Sequence, residues 1–166
     1  MKVHILHEGE TEAKLLSVLC AEGKLKKFNP FQHDIRKLTR LINKKDTVYI
    51  IYDTDVMGAA EIKRFKENIS GILLVTSKLV LVQQNKNMED EIEFACKGFN
   101  FKRICEAFNA KPPSVDNFKK KFIASGCCLK ILQELNFDRE LLFGSKSIHP
   151  DISGFDKYLG KPKYRD

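Results

Sequence analysis

Residues 47–53 read TVYIIYD, β-branched or aromatic at nearly every position and apolar on both faces of an extended chain. A strand of that kind needs cover on both sides, which a helix-flanked parallel sheet provides and a hairpin with one wet face does not. It constrains the fold more than any other segment. KVHIL near the N-terminus is short and alternating and reads as a second strand. From Thr11 the spacing of Leu15, Leu16, Val18 and Leu19 is helical up to Gly23 and the cluster Lys24, Lys26 and Lys27. FNPFQ reads as a weak strand that Pro30 confines to a sheet edge, and Ile35, Leu38, Leu41 and Ile42 form an amphipathic helical stripe. After Gly58 comes a helix with Ile62, Phe65 and Ile69 spaced for burial, and SGILLVTSKLVLVQQ reads as its end, to about Ser77, followed by a strand, the alternative being two strands. A strand from Leu79 to Gln83 and a helix capped by Asn87 complete the alternation.

Strands alternating with helices predict an α/β fold built on a mainly parallel sheet of about four strands flanked by helices. Beyond residue 98 the pattern changes. FKRICEAFN, SVDNFKKKFIASG and CLKILQELNF are helical segments divided by Pro112-Pro113 and Gly126. Residues 1–98 are therefore expected to form an α/β domain, and residues 99–166 a helical extension packed on it. At 166 residues and 43% hydrophobic the chain can bury a sizeable core.

Charge is uneven along that division. Residues 1–96 hold 15 Lys and Arg against 14 Asp and Glu, whereas residues 97–166 hold 14 against 8. The C-terminal part is the basic part. A net charge of +7 suits a polyanionic partner such as nucleic acid, although solvated lysines on helices produce similar totals. Lys119, Lys120 and Lys121 are accordingly either a solvated helix face or a phosphate track. No apolar run approaches about 18 residues, and Met1-Lys2 leads straight into a strand pattern, so no membrane segment is expected and the cytoplasm is the expected compartment. Five cysteines, an odd number without metal-ligand spacing, read as reduced thiols that lie mostly in the core.

Both apolar strands stop at acids: Glu8, Glu10 and Glu12 follow the first, Asp53 and Asp55 the second. In open parallel sheets, sites form beyond the carboxyl ends of the strands. If the two strands are neighbours, their carboxylates meet in one cleft, and clustered carboxylates repel one another unless a cation neutralises them. An all-oxygen set suits Mg²⁺ or Mn²⁺. Asp53 and Asp55 face one ion only if the strand has begun to turn, with Thr54 pointing elsewhere. Glu10 is accounted for by the helix dipole in the first turn, a role open to Glu12 as well. His4 and His7 are read as structural or exposed rather than as ligands.

EGETE after the first strand, YDTD after the long apolar one, and the α/β alternation between them resemble a Toprim domain, the metal-dependent module of topoisomerases, bacterial primases, OLD-type nucleases, recombination-repair proteins and small RNA-maturation nucleases. The resemblance covers about residues 1–96, and Glu12 gives the EGxxE form seen in OLD-like and related nucleases. It implies a Toprim-like, Rossmann-like sheet and metal-dependent hydrolysis of nucleic-acid phosphodiesters, DNA or RNA. Glu8 then matches the general acid–base or metal-binding Glu, Gly9 the turn glycine, Asp53 and Asp55 the pair that holds Mg²⁺ or Mn²⁺, and Glu12 the second acid. Nuclease relatives carry a further acid after the fourth strand, for which Glu89 in NMEDE is chosen, with Asp90 and Glu91 as close competitors. They also carry a later lysine that stabilises charge on the scissile phosphate, for which Lys146 in FGSKS is chosen, the alternative being a solvated turn lysine. The resemblance further implies an ATPase partner, which would have to be a separate subunit.

Two other classes compete. IIYDTDVMG also resembles the strand-DxD of haloacid-dehalogenase-type phosphatases, in which the first aspartate attacks phosphorus, but that reading leaves EGETE idle. A non-catalytic nucleic-acid or regulatory adaptor would keep the fold without the chemistry.

Overall fold

The computed structural model describes residues 1–20, 22–55, 58–144 and 147–165. Four strands, β1 (Val3–His7), β2 (Lys24–Lys27), β3 (Thr47–Tyr52) and β4 (Lys78–Gln83), form one all-parallel sheet in the order β2-β1-β3-β4. The helices α1 (Glu10–Leu19), α2 (Arg36–Thr39), α3 (Ala59–Leu73), α4 (Met88–Ala95), α5 (Phe101–Ala107), α6 (Val115–Ala124) and α7 (Cys128–Glu134) flank it, so the fold is the expected Rossmann-like α/β arrangement. Among the described residues no helix is long and apolar enough to cross a membrane.

Alternation along β3 shows why both faces need cover. Tyr49 and Ile51 enter one apolar cluster with Leu15, Leu16 and Ile92, while Val48, Ile50 and Tyr52 enter the other with Phe65, Ile69 and Ile72. The first cluster continues without a break into α5–α7, where Phe108, Phe118 and Phe122 meet with ring centroids 5.3–5.5 Å apart. Helices α6 and α7 lie against α1. The chain then crosses to the second face, where Ile148 and Ile152 are buried. It returns through Leu159, bridged to Leu81, and Tyr164, bridged to Cys20.

Some local expectations fail, each for a physical reason. The edge strand is not FNPFQ but the preceding KLKK, whose side chains are exposed or half-exposed. Pairing with β1 fixes an edge strand that has no buried face to advertise it, and its lysines protect the open edge. FNPFQ instead turns, with Phe28 and Phe31 as buried anchors. The 35–42 stripe yields only one helical turn; Ile35 and Ile42 are buried from the flanking turns, and Leu41 is left 53% exposed. Helix α1 ends at Leu19 rather than near Gly23, because Cys20 joins the C-terminal tail. Asn87 caps α4 as expected, accepting from the Asp90 N–H at 3.0 Å. Four of the five free cysteines are buried and Cys127 is exposed.

Candidate functional site

Because β1 and β3 are adjacent and parallel, their carboxyl ends deliver Glu8 and Asp53 side by side, and the Asp53 N–H donates to Glu8 Oε1 at 3.3 Å. Helix α1 starts two residues after Glu8 and places Glu12 in its first turn, where it is 4% exposed. The Glu12 carboxylate folds back over Gly9, and a Cβ at position 9 would displace it. Glu89, in the first turn of α4 beyond the end of β4, is also 4% exposed and accepts from the Thr11 hydroxyl. Helix α6 forms the opposite wall. Lys119 Nζ stands 3.6 Å from Glu89 Oε2, and Lys120 lines the same cleft of about 720 Å³ as Glu8, Glu12, Asp53 and Glu89.

The electrostatics follow from crowding acids in a half-buried place. Burial, and then the charges of Glu8, Glu12, Asp55 and Glu89, push the Asp53 carboxyl up to about 8. Glu8 is pushed up to about 7, mainly by burial and then by Glu12 and Asp55; the hydrogen bonds from the Asp53 N–H and Asn29 oppose the rise. Burial raises Glu89 as well, against the pull of Lys119. Among the described residues, the buried oxygens Asp53 Oδ1, Glu89 Oε1 and Gln84 Oε1 have no hydrogen-bond donor, which is costly unless a ligand or cation supplies the missing partner. Oxygen donors of this kind fit a hard divalent ion. Among the described residues no three His, Cys, Asp or Glu side chains are arranged to hold an ion as they stand, so the residues fit Mg²⁺ or Mn²⁺ as a donor set rather than as a finished cage.

Of the residues chosen from sequence, the cleft brings together Glu8, Glu12, Asp53, Glu89, Lys119 and Lys120. Asp55 lies on the other side of the Glu8–Asp53 pair, exposed, where it borders a hollow of about 220 Å³ with Asn29 and Glu61. Thr54 points away as expected, donating to the Asn85 carbonyl at 2.6 Å. Lys121 is exposed and does not line the cleft. Lys146 lies outside the described residues. Of the acids beside Glu89, Glu91 is fully buried and committed to the Asn85 and Phe143 N–H groups. Asp90 is half-exposed and does not line the cleft. His4 is buried against Asp46 at 3.2 Å, and His7 is buried with Nδ1 bonded to the Gly9 carbonyl at 2.9 Å, so both are structural.

Asp116, in the first turn of α6, lines the cleft without having stood out in the sequence, and two amides beside the acids did not stand out either. Asn29 donates to Glu8 Oε2 at 2.6 Å, and Gln84, fully buried, donates to Glu12 Oε1 at 3.3 Å. Their only sequence signal is position, each lying just beyond the carboxyl end of an outer strand. Compared with models of known families, with curated proteins and with solved structures, the chain matches none of them.

Proposed function

We propose that this chain is a Mg²⁺- or Mn²⁺-dependent nuclease of Toprim type that hydrolyses nucleic-acid phosphodiester bonds. The observation that carries the reading is the meeting of Glu8 and Glu12, Asp53, and Glu89, from three separate stretches, in one cleft whose far wall bears Lys119 and Lys120 beside Asp116. Asp53, Glu8 and Glu89, with Asp55 from the adjoining hollow, would hold the metal. When bound, it would supply Lewis-acid polarisation of the scissile phosphate and a more acidic attacking water. Glu8, beside Asp53 at the strand ends, would either share the metal or handle the proton of the attacking water. Glu12, buried and fixed by Gln84, adds negative charge where the ion must sit. Lys120, exposed on the cleft wall, takes the phosphate backbone. Such contacts position a strand without reading its bases, which leaves DNA and RNA both open as substrates. Free thiols suit a reducing compartment, and the cytoplasm is the proposed location. By the Toprim resemblance, an ATPase is the partner to look for.

One observation favours a second reading. The basic wall of α6, with Lys119 and Lys120, is what a non-catalytic nucleic-acid or regulatory adaptor would retain without the chemistry. A haloacid-dehalogenase-type phosphatase has less support, because it gives Glu8, Glu12 and Glu89 no part although they crowd Asp53. Incubation of the purified protein with labelled single- and double-stranded DNA and RNA, in Mg²⁺, Mn²⁺ or EDTA, separates the three. The nuclease reading expects cleavage in either metal and none in EDTA. It also expects Asp53→Ala to cut activity by at least about 100-fold, the scale of lost electrostatic stabilisation at a charged transition state, with binding retained. Release of phosphate from small monoesters without strand cleavage would favour the phosphatase, and metal-independent binding alone the adaptor.

A further inference from the structure

Glu8 and Glu12 are each held by a neutral carboxamide that comes from outside the EGETE and DTD segments. Asn29 follows β2 and Gln84 follows β4, so each outer strand of the order β2-β1-β3-β4 supplies an amide to one of the two acids that follow β1. We propose that Asn29 and Gln84 are positioning residues that fix the Glu8 and Glu12 carboxylates for a divalent cation. This rests on the metal reading of the site given above.

The orientation of each amide is determined by its surroundings. Asn29 Oδ1 accepts from the Phe31 N–H at 2.9 Å and from the Gln32 N–H at 3.1 Å. That pair of backbone donors fixes which end of the amide is oxygen, so the NH₂ must face Glu8. The Asn29 backbone is itself anchored, because the Phe28 N–H next to it donates to the His7 carbonyl at 2.7 Å and extends the β1–β2 pairing. Gln84 is anchored in the same manner on the other side, its N–H donating to the Tyr52 carbonyl at 3.0 Å at the end of β3. A carboxylate only accepts, so the Gln84 NH₂ faces Glu12, and its Oε1 is turned away and left without a donor.

Glu89 faces Lys119, but Glu8 and Glu12 are met by neutral donors. A lysine or arginine would compensate the glutamates permanently and compete with a metal for them. Another acid would add to a repulsion that is already large. An amide binds one oxygen lone pair, leaves the others free and restricts the rotation of a flexible side chain before the ion arrives. Groups that orient metal ligands in this way typically change metal affinity by about 10–100-fold when removed.

The test is a Mn²⁺ titration by isothermal calorimetry, with free ion counted by electron paramagnetic resonance, on the wild type, Asn29→Ser and Gln84→Met. Serine retains a side-chain oxygen for the turn at residues 31–32 but is too short to reach Glu8. Methionine keeps the length and burial of Gln84 without its donor. Each variant is expected to bind Mn²⁺ about 10–100-fold more weakly. In a Glu8→Ala background Asn29→Ser is expected to cost nothing further, and Gln84→Met nothing further in Glu12→Ala, since no carboxylate remains to be held. A merely structural role would instead add its loss in those backgrounds. Wild-type binding of Mn²⁺ with both amide variants within about threefold of it, or with losses that simply multiply, overturns the inference while the metal site stands. A wild type that binds no Mn²⁺ overturns both.

Discussion

Asp53 is the carboxyl that the surroundings oppose most strongly, because it sits half-buried among four other acids with one oxygen unpaired. Its carboxyl, pushed up to about 8, keeps a proton in the folded chain that an unfolded Asp, near 4, has already lost. Linkage then fixes the sign: the contribution of Asp53 to stability in EDTA is fully present below about pH 4 and is lost as pH rises through about 8. Asp53→Asn removes that decline, so the variant should melt above the wild type in EDTA at pH 9 and gain much less at pH 5. Saturating Mn²⁺ should raise the wild-type melting temperature at pH 8 and leave that of Asp53→Asn nearly unmoved; thermal melts at the two pH values check both. The acids themselves were legible because each follows a strand or opens a helix, where polar residues stand out against an apolar run. Asn29 and Gln84 were not, since an amide after a strand looks like any turn residue until the partner carboxylate is placed beside it.

Helix α6 contributes charge by geometry rather than by composition. Its first and last turns bury Phe118 and Phe122 against Phe108 at the end of α5, and that register brings Lys119 and Lys120 to the cleft while Lys121 does not line it. Three adjacent lysines are indistinguishable in sequence, but they are not equivalent in the fold. Lys120→Ala should weaken nucleic-acid binding and lower the slope of log affinity against log salt by about 1, whereas Lys121→Ala should change neither by much. Fluorescence anisotropy over a salt series measures this. β3, β4, α3 and α4 were readable because two-sided or amphipathic burial leaves a periodic trace. β2 left none: a lysine-rich edge strand is defined by the backbone bonds it makes to β1, which no side-chain pattern records.

The chain as a single body is closed by its tail. The Gly160 N–H donates to the Leu81 carbonyl at 3.0 Å on the outer edge of β4, and the Arg165 N–H to the Leu19 carbonyl at 2.7 Å at the end of α1. Tyr164 adds a bond to the Leu142 carbonyl at 3.2 Å. Deleting residues 159–166 removes these and uncovers the β4 edge, and it should destabilise the fold by about 3 kcal/mol at roughly 1 kcal/mol per bond, read from urea unfolding. This return path was not legible either, because the tail is short, basic and turn-rich, and its partners lie far away along the chain. What the account rests on is that acids separated by dozens of residues converge to bind one kind of ion. An anomalous difference map from crystals grown with MnCl₂ examines that convergence. A peak at coordination distance from Asp53 and Glu8, inside the cleft that Glu89 and Lys119 enclose, is the predicted result. A map at saturating Mn²⁺ with no peak beside those carboxylates would contradict it.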